Sequence, residues 1–306
     1  MSSLLYFDLN RAMRERFGCR VQKISLDAGL TCPNRDGLLG RGGCIYCNTR
    51  GSGTGAWPSQ TITEQLESGK TFVKRRYKAE KFIAYFQSFS NTYAPLEKLR
   101  GLYEEALAVP DIVGLAIGTR PDCADDTILN FLCEMNKRTW VTLEYGLQSI
   151  HDRTLERINR GHSAGVFMDA VKRTREKGIE VCAHVILGLP GEGRKEMLET
   201  AEALAAADIQ AVKIHLLYVI RGTELHRLYE AGAYLCMSRE DYVNTVAEFL
   251  ALLPPGMIIH RLTGDPHPGE LAAPLWALEK QANLQAIRET MRMLNLWQGK
   301  NWKRTP

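Results

Sequence analysis

Six short apolar runs punctuate the chain, and a helical pattern follows nearly every one. The runs are RVQKISL, KFIAYF, IVGLAI, WVTLEY, EVCAHVIL and AVKIHLLYV. Their length and β-branched content suit buried strands. Between the first two, Ile62, Leu66, Val73 and Tyr77 recur at helical spacing, and Thr61 with Glu64 forms the signature of a capping box. Pro95 opens the next helix, where its missing N–H costs nothing, and Leu96, Leu99 and Leu102 mark the inner side. A third helix is expected around Ile128 to Met135. Another runs from Ser163 to a stop at Gly178, a fifth is alanine-rich over 195–207, and a sixth runs from about Arg239 to the PPG at 254–256.

Strands that alternate with helices imply a parallel sheet covered by helices. The predicted fold is therefore α/β, a partial (βα)6 TIM-like barrel with a C-terminal helical extension. Chemistry in such barrels sits at the C-terminal ends of the strands. No low-complexity linker interrupts residues 20–253, which read as one catalytic domain. Residues 1–19 precede it as an N-terminal segment. Residues 254–306 extend it, with a last helix through ALEKQANLQAIRETMRML.

Directly after the first strand comes TCPNRDGLLGRGGCIYCNTRGSG, which sets Cys32, Cys44 and Cys47 among Gly, Asn and Arg. Structural cysteines usually lie among aliphatic residues. Here there is little to pack, so the stretch reads as a loop wrapped around something the thiols hold. Cys44 and Cys47 form a C-x2-C pair, and eleven residues separate Cys32 from Cys44. Two centres suit three thiolates. A structural zinc wants four protein ligands, and the nearest unassigned candidates, Cys19 and His151, lie outside the loop. A [4Fe–4S] cluster normally takes four thiolates; held by three, it keeps one iron open for another molecule.

Composition adds limits rather than detail. The chain has 306 residues, 45% of them hydrophobic and 24% charged, which is ordinary for a globular protein. No run of about 18 uncharged apolar residues predicts a membrane span, and the N-terminus lacks the pattern of a signal peptide. The eight cysteines are expected in a reducing, cytoplasmic setting, where clusters of them point to metal or catalysis. A net charge of +4 permits a nucleic-acid partner without arguing for one.

The cysteine loop, with aromatic Tyr46 before its last thiol and a βα barrel around it, resembles the radical S-adenosylmethionine (radical SAM) superfamily. The spacing is wider than the commonest C-x3-C-x2-C. That width is similar to the branch containing the elongator catalytic subunit and the YhcC/YtqA-type proteins. FQSFSNTYA, GTRPDC, EYGLQS, NRGHS, ILGLPGE, HLLYVIRGTEL, HRLTGDP and WQGKNWK resemble that branch too, so the likeness runs through most of the chain.

The resemblance implies that Cys32, Cys44 and Cys47 ligate a [4Fe–4S] cluster and that SAM binds its open iron. Reductive cleavage of SAM then yields a 5′-deoxyadenosyl radical, and an electron donor such as flavodoxin or ferredoxin is implied. It also implies SAM contacts from Gln87 and Ser88 after the second strand, and from Gln148 after the fourth. Arg160 is expected on the SAM carboxylate and His184 on the ribose. ILGLPGE, which lacks the lysine of a phosphate loop, is expected to turn over the adenine. Cys123 is a candidate second thiol in the pocket, whereas Cys133 and Cys182 fall in apolar patterns.

The branch is associated with tRNA wobble-uridine modification, which makes a transfer RNA the expected substrate, at a substituent on uridine carbon 5. Acetyl transfer is not implied, because 306 residues leave no room for the elongator subunit's acetyltransferase domain. Tyr93, Trp276, Trp297 and the basic KNWKR tail are candidates to hold an unstacked base. KTFVKRRYK, with five basic residues spread round a helix, supports RNA binding only faintly. Two rival expectations stand beside this one. One is a zinc-stabilised nucleic-acid-binding protein, and the other is a catalytically silent regulator that binds SAM and the cluster.

Overall fold

The computed structural model describes residues 5–51 and 60–303. Helix α1 (Leu9–Phe17) leads into β1 (Val21–Leu26), and the cysteine loop separates β1 from α2 (Ile62–Tyr77). The alternation continues through β2 (Lys81–Phe86), α3 (Leu96–Ala108), β3 (Ile112–Thr119), α4 (Asp126–Asn136) and β4 (Trp140–Gln148). Two helices, α5 (Asp152–Arg157) and α6 (Ala164–Glu176), precede β5 (Glu180–Leu187), which leads through α7 (Arg194–Ala206) to β6 (Ala211–Leu216). The expected six strands are present in order, each pairing in parallel with the next. The capping box at Thr61 and Glu64 is formed, and Ser163 caps α6 through the Val166 N–H.

Beyond β6 the chain carries more structure than the periodicity suggested. A short strand β7 (Val219–Ile220), α8 (Glu224–Glu230) and α9 (Arg239–Leu252) lead to β8 (Ile258–Arg261). Strand β8 pairs in parallel with β6, so a segment expected as an extension supplies a seventh strand to the sheet, whose order is β1-β2-β3-β4-β5-β6-β8. Its four residues, IIHR, are too short and too polar to register as a strand pattern. The chain then forms β9 (Leu271–Ala273), antiparallel to β7, and ends in the expected last helix, α10 (Lys280–Met293).

The two faces of the sheet differ in chemistry. Phe82, Ala84 and Phe86 of β2 face outward into the large apolar layer shared with the helices, as do Leu115 and Ile117 of β3. Ile83, Tyr85 and Ala116, at the alternate positions, face inward. At the N-terminal ends of the strands this interior is closed by α1. Its Ala12 and Met13 pack on Val21, Ile83 and Trp140, and Phe17 meets Trp140 edge to face at 6.3 Å. A bridge from Asp8 to Ile259 ties the same segment to β8. The barrel is thus plugged at the N-terminal ends of its strands.

Met13 is 1% exposed and fills that plug. Replacing it with Ala should lower stability by about 2–4 kcal/mol, the range for emptying a buried methionine site, read from the urea midpoint. A loss below about 0.5 kcal/mol would mean the N-terminal helix does not close the barrel.

Candidate active site

The cysteine loop has no regular structure, yet its backbone is tied at many points. The Cys47 N–H donates to the Cys44 carbonyl at 2.9 Å, which makes the C-x2-C a tight turn. Asn34 Nδ2 donates to the Asn159 carbonyl at 2.6 Å, and Asn159 Nδ2 donates to the Gly43 carbonyl at 2.7 Å. The Ile45 N–H donates to the Ile158 carbonyl at 3.1 Å, and Arg35 Nη2 to the Cys47 carbonyl at 2.8 Å. The NRGH stretch is therefore the frame that shapes the loop.

The open end of the barrel holds a cavity of about 410 Å3, within the range of small-molecule sites. Cys32, Cys44 and Cys47 line it together. So do Gln87, Gln148, Arg160 and His184, which converge here from β2, β4, β5 and the loop after α5. Ser88 is not among the lining residues. It is 1% exposed and its hydroxyl has no hydrogen-bond partner among the described residues, because strand alternation carries it to the outer side with Phe82, Ala84 and Phe86. Ser90 lines the cavity instead.

Arg160 is built into the wall. Its Nε and Nη2 donate to the Gly146 carbonyl at 3.2 and 2.8 Å, and Nη1 lies 3.7 Å from Cys44 Sγ. A Cβ on Gly146 would stand 2.4 Å from the guanidinium and 2.6 Å from Gln148 Nε2, so any other residue would push both side chains from these positions. Gln148 itself sits at φ 77°, beside a register shift in the β4–β5 pairing. Such strain at a strand end is the kind stored at working sites.

The three thiols were also compatible with zinc. Zn–S bonds of about 2.3 Å in a tetrahedron would draw the sulfurs to roughly 3.8 Å apart. Among the described residues, the one set of three such donors within 4.8 Å of each other is Glu144, Cys182 and His184. The three loop thiols do not form such a set. Burial foremost, then the nearby Cys44 thiol, push the Cys47 thiol up from its ordinary value. Thiols in that setting are held as thiolates only by a strong Lewis acid or cation. The donor set fits an iron–sulfur cluster.

Below the cysteines lies a polar network that the strand patterns did not bring to notice. Glu144 of β4 has no exposed side-chain surface. It pairs with Lys23 of β1, with Lys213 of β6 at 2.5 Å, and with His184 Nε2 at 2.7 Å. Burial alone would raise its pKa, but Lys213 and Lys23 outweigh that and hold it well below the usual carboxylate range. Burial pulls Lys213 down to about 8, opposed by Glu144. Lys213 also donates to the Tyr85 hydroxyl at 3.0 Å. Burial lowers His184 to about 4 and His260 to about 3, so both are neutral at pH 7. The signal was present as single charged or imidazole residues at alternate positions of apolar strands, Lys23, Glu144, Lys213 and His215.

Other expected contributors lie elsewhere. Cys123 is buried outside the lining, its thiol pushed up by burial to about 12. The GLPGE turn contributes nothing to the lining, which takes only Ile186 from that end of β5. Tyr93 sits beside Asp36 of the cysteine loop, Trp276 packs on Tyr242 under Arg239, and Trp297 lies half exposed beneath Lys300. None of the three aromatics lines the cavity. The KNWKR tail runs past the described residues at Arg304. In the basic helix, Lys70 is buried against Glu67 and Lys74 reaches Asp111, so the charges do not form one patch.

The neutral histidines make stability depend on pH. Their folded pKa values lie below the unfolded value of 6.5, so between about 6.5 and 4 the unfolded chain binds more protons and stability falls with pH. From pH 7 to 5 each should cost about 2 kcal/mol. His260→Asn should remove one histidine's share of that slope in urea titrations, and an unchanged slope would show that His260 is already charged in the fold.

Comparison with known proteins now adds to this geometry. Residues 34–204 match the Radical SAM superfamily and residues 209–293 match the Radical_SAM C-terminal domain. Protein YtqA of Bacillus subtilis, itself uncharacterized, is 43% identical over 300 residues, 98% of this chain and 93% of that one. Elongator complex protein 3 of Saccharomyces cerevisiae is 33% identical over 156 residues, half of this chain and 28% of its own. The Elp3 of the archaeon Methanocaldococcus infernus shares the fold, with a TM-score of 0.70 at 17% identity over 91% of this chain and 64% of that chain. A match across more than half of the residues, and 43% identity along nearly the whole of a YtqA-type relative, make this chain a member of the radical SAM superfamily, in its YtqA-type, Elp3-like branch.

Proposed function

We propose that this chain is a radical SAM enzyme that modifies a tRNA wobble uridine at a substituent on carbon 5. The observation that carries the chemistry is the convergence of Cys32, Cys44 and Cys47 at the mouth of the barrel cavity. When bound, the cluster and SAM supply a one-electron reductive cleavage giving methionine and a 5′-deoxyadenosyl radical, the electron coming from a flavodoxin- or ferredoxin-type donor. Cys32, Cys44 and Cys47 would hold the cluster. Arg160 places a positive charge against Cys44 and narrows that wall.

Gln87, Gln148 and His184 offer hydrogen-bonding groups around the same space, and we assign them to SAM. Ser88 is withdrawn from that role by its burial away from the cavity. The α1 plug closes the end of the barrel behind the site, and limiting water there suits a reactive radical. The tRNA assignment rests on the likeness to the elongator branch. Recognition of a loop nucleotide would bring the rest of the RNA to the rim.

Anaerobic reconstitution should give visible absorption bleached by dithionite. Simultaneous Cys32→Ala, Cys44→Ala and Cys47→Ala changes should abolish it, whereas Cys133→Ala should not. Retention of colour in the triple variant would move the ligands elsewhere. The reduced enzyme should release 5′-deoxyadenosine, and colour without that product would identify a silent binder.

For the substrate, mass spectrometry of tRNA nucleosides from a deletion strain should show a wobble uridine stalled at an earlier stage. A profile identical to wild type, with the gene expressed, would defeat the tRNA assignment and leave the radical chemistry intact.

A further inference from the structure

Arg261 closes β8 and lines the cavity beside Lys213, its partner across the β6–β8 pairing, where a register shift precedes the pair. It is half buried, and among the described residues it has no hydrogen bond and no carboxylate partner. A guanidinium in that position is expensive unless something answers its charge.

The nearby acids are already committed. Glu144 faces two lysines, Lys23 and Lys213. At the rim, Asp265 pairs with Lys280 at 2.6 Å, and Glu270 pairs with Arg50 at 3.3 Å while accepting from Asn48 at 3.1 Å. His215, close to Arg261, is kept neutral by its burial and adds no negative charge. The floor of the cavity therefore carries positive charge in excess.

We propose that Arg261, with Lys213 beside it, is an oxyanion subsite that receives a carboxylate on the reacting end of the substrate. A planar guanidinium fork matches a carboxylate with two parallel hydrogen bonds, and a lysine supplies a second point charge. The inference rests on the reading that substrate enters this cavity. It adds that the group attacked carries, or adjoins, an anion. A substrate lacking that anion would leave Arg261 unpaired in the complex, so the subsite selects as well as binds.

Two carboxylates could reach Arg261, that of the substrate and that of SAM. Wild-type protein with its cluster reconstituted is treated with phenylglyoxal, and adduct at Arg261 is measured by peptide mass spectrometry. The probes are sodium acetate and inorganic phosphate, each against sodium chloride at equal ionic strength, with and without SAM. Acetate should slow modification of Arg261 by about fivefold or more, with SAM present as well as absent. No protection by either anion overturns the subsite. Protection by phosphate alone overturns the carboxylate, and full protection by SAM alone assigns Arg261 to the cofactor and overturns the substrate role.

With tRNA from the deletion strain, Arg261→Gln should raise KM about tenfold and Arg261→Lys should recover part of it. An unaltered KM in Arg261→Gln would overturn the subsite even if the strain's wobble uridine is stalled. Acetate protection alongside an unchanged nucleoside profile would instead sink the tRNA assignment and keep the subsite for another anionic substrate.

Discussion

Glu144 is a carboxylate with no exposed surface in the middle of a partial barrel. Taking such a charge out of water costs several kcal/mol, repaid only where partners approach closely and every lone pair is used. Here the partners come from four other strands. Lys23 arrives from β1, His184 from β5, Lys213 from β6 and His260 from β8. Because these strands are distant in sequence, the network is complete only when the sheet has curved and β8 has docked. The carboxylate is thereby a register check on the whole interior. A slip of one residue in any of these strands would turn a lysine or imidazole to the outer, apolar face and leave the charge unanswered.

That requirement explains how the two ends of the barrel differ. Toward the N-terminal ends of the strands, the interior is filled by Met13, Val21, Ile83 and Trp140, and it is apolar. One layer up, the strands present lysines, the glutamate and imidazoles. At the mouth, glycines at 118 and 146 open the space that the cavity occupies. Strand alternation produces this layering with no special loops. The loops add only what strands cannot, three thiols on a segment whose shape is borrowed from the turn between α5 and α6.

The βα rhythm was legible because outward positions on each strand must be apolar to meet helices, and that pattern survives whatever the interior does. The cysteine loop was legible because thiols among glycines have no packing role. The interior network was not. Lys23, Glu144 and Lys213 each look like one interruption in an apolar run, and nothing local says that they meet. Ser88 and Gln87 are adjacent in the chain and part company because alternation sends them to opposite faces, as it does Phe86 and Tyr85 before them. The seventh strand escaped notice since its pairing with β6, rather than its own composition, makes it a strand.

Arg160 and Arg261 show how far position decides the work of one side-chain type. Both line the same cavity. Arg160 spends three of its contacts on a backbone carbonyl and a thiol, so it is fixed before any ligand arrives. Arg261 has no such anchors among the described residues, and the acids around it answer other cations. A guanidinium already anchored shapes a wall and tunes the thiol it faces, whereas one left over is an affinity waiting for an anion. The two arginines stand on separate elements, the loop after α5 and the end of β8. The barrel thus separates the group that supports the cysteines from the group that reads the incoming molecule.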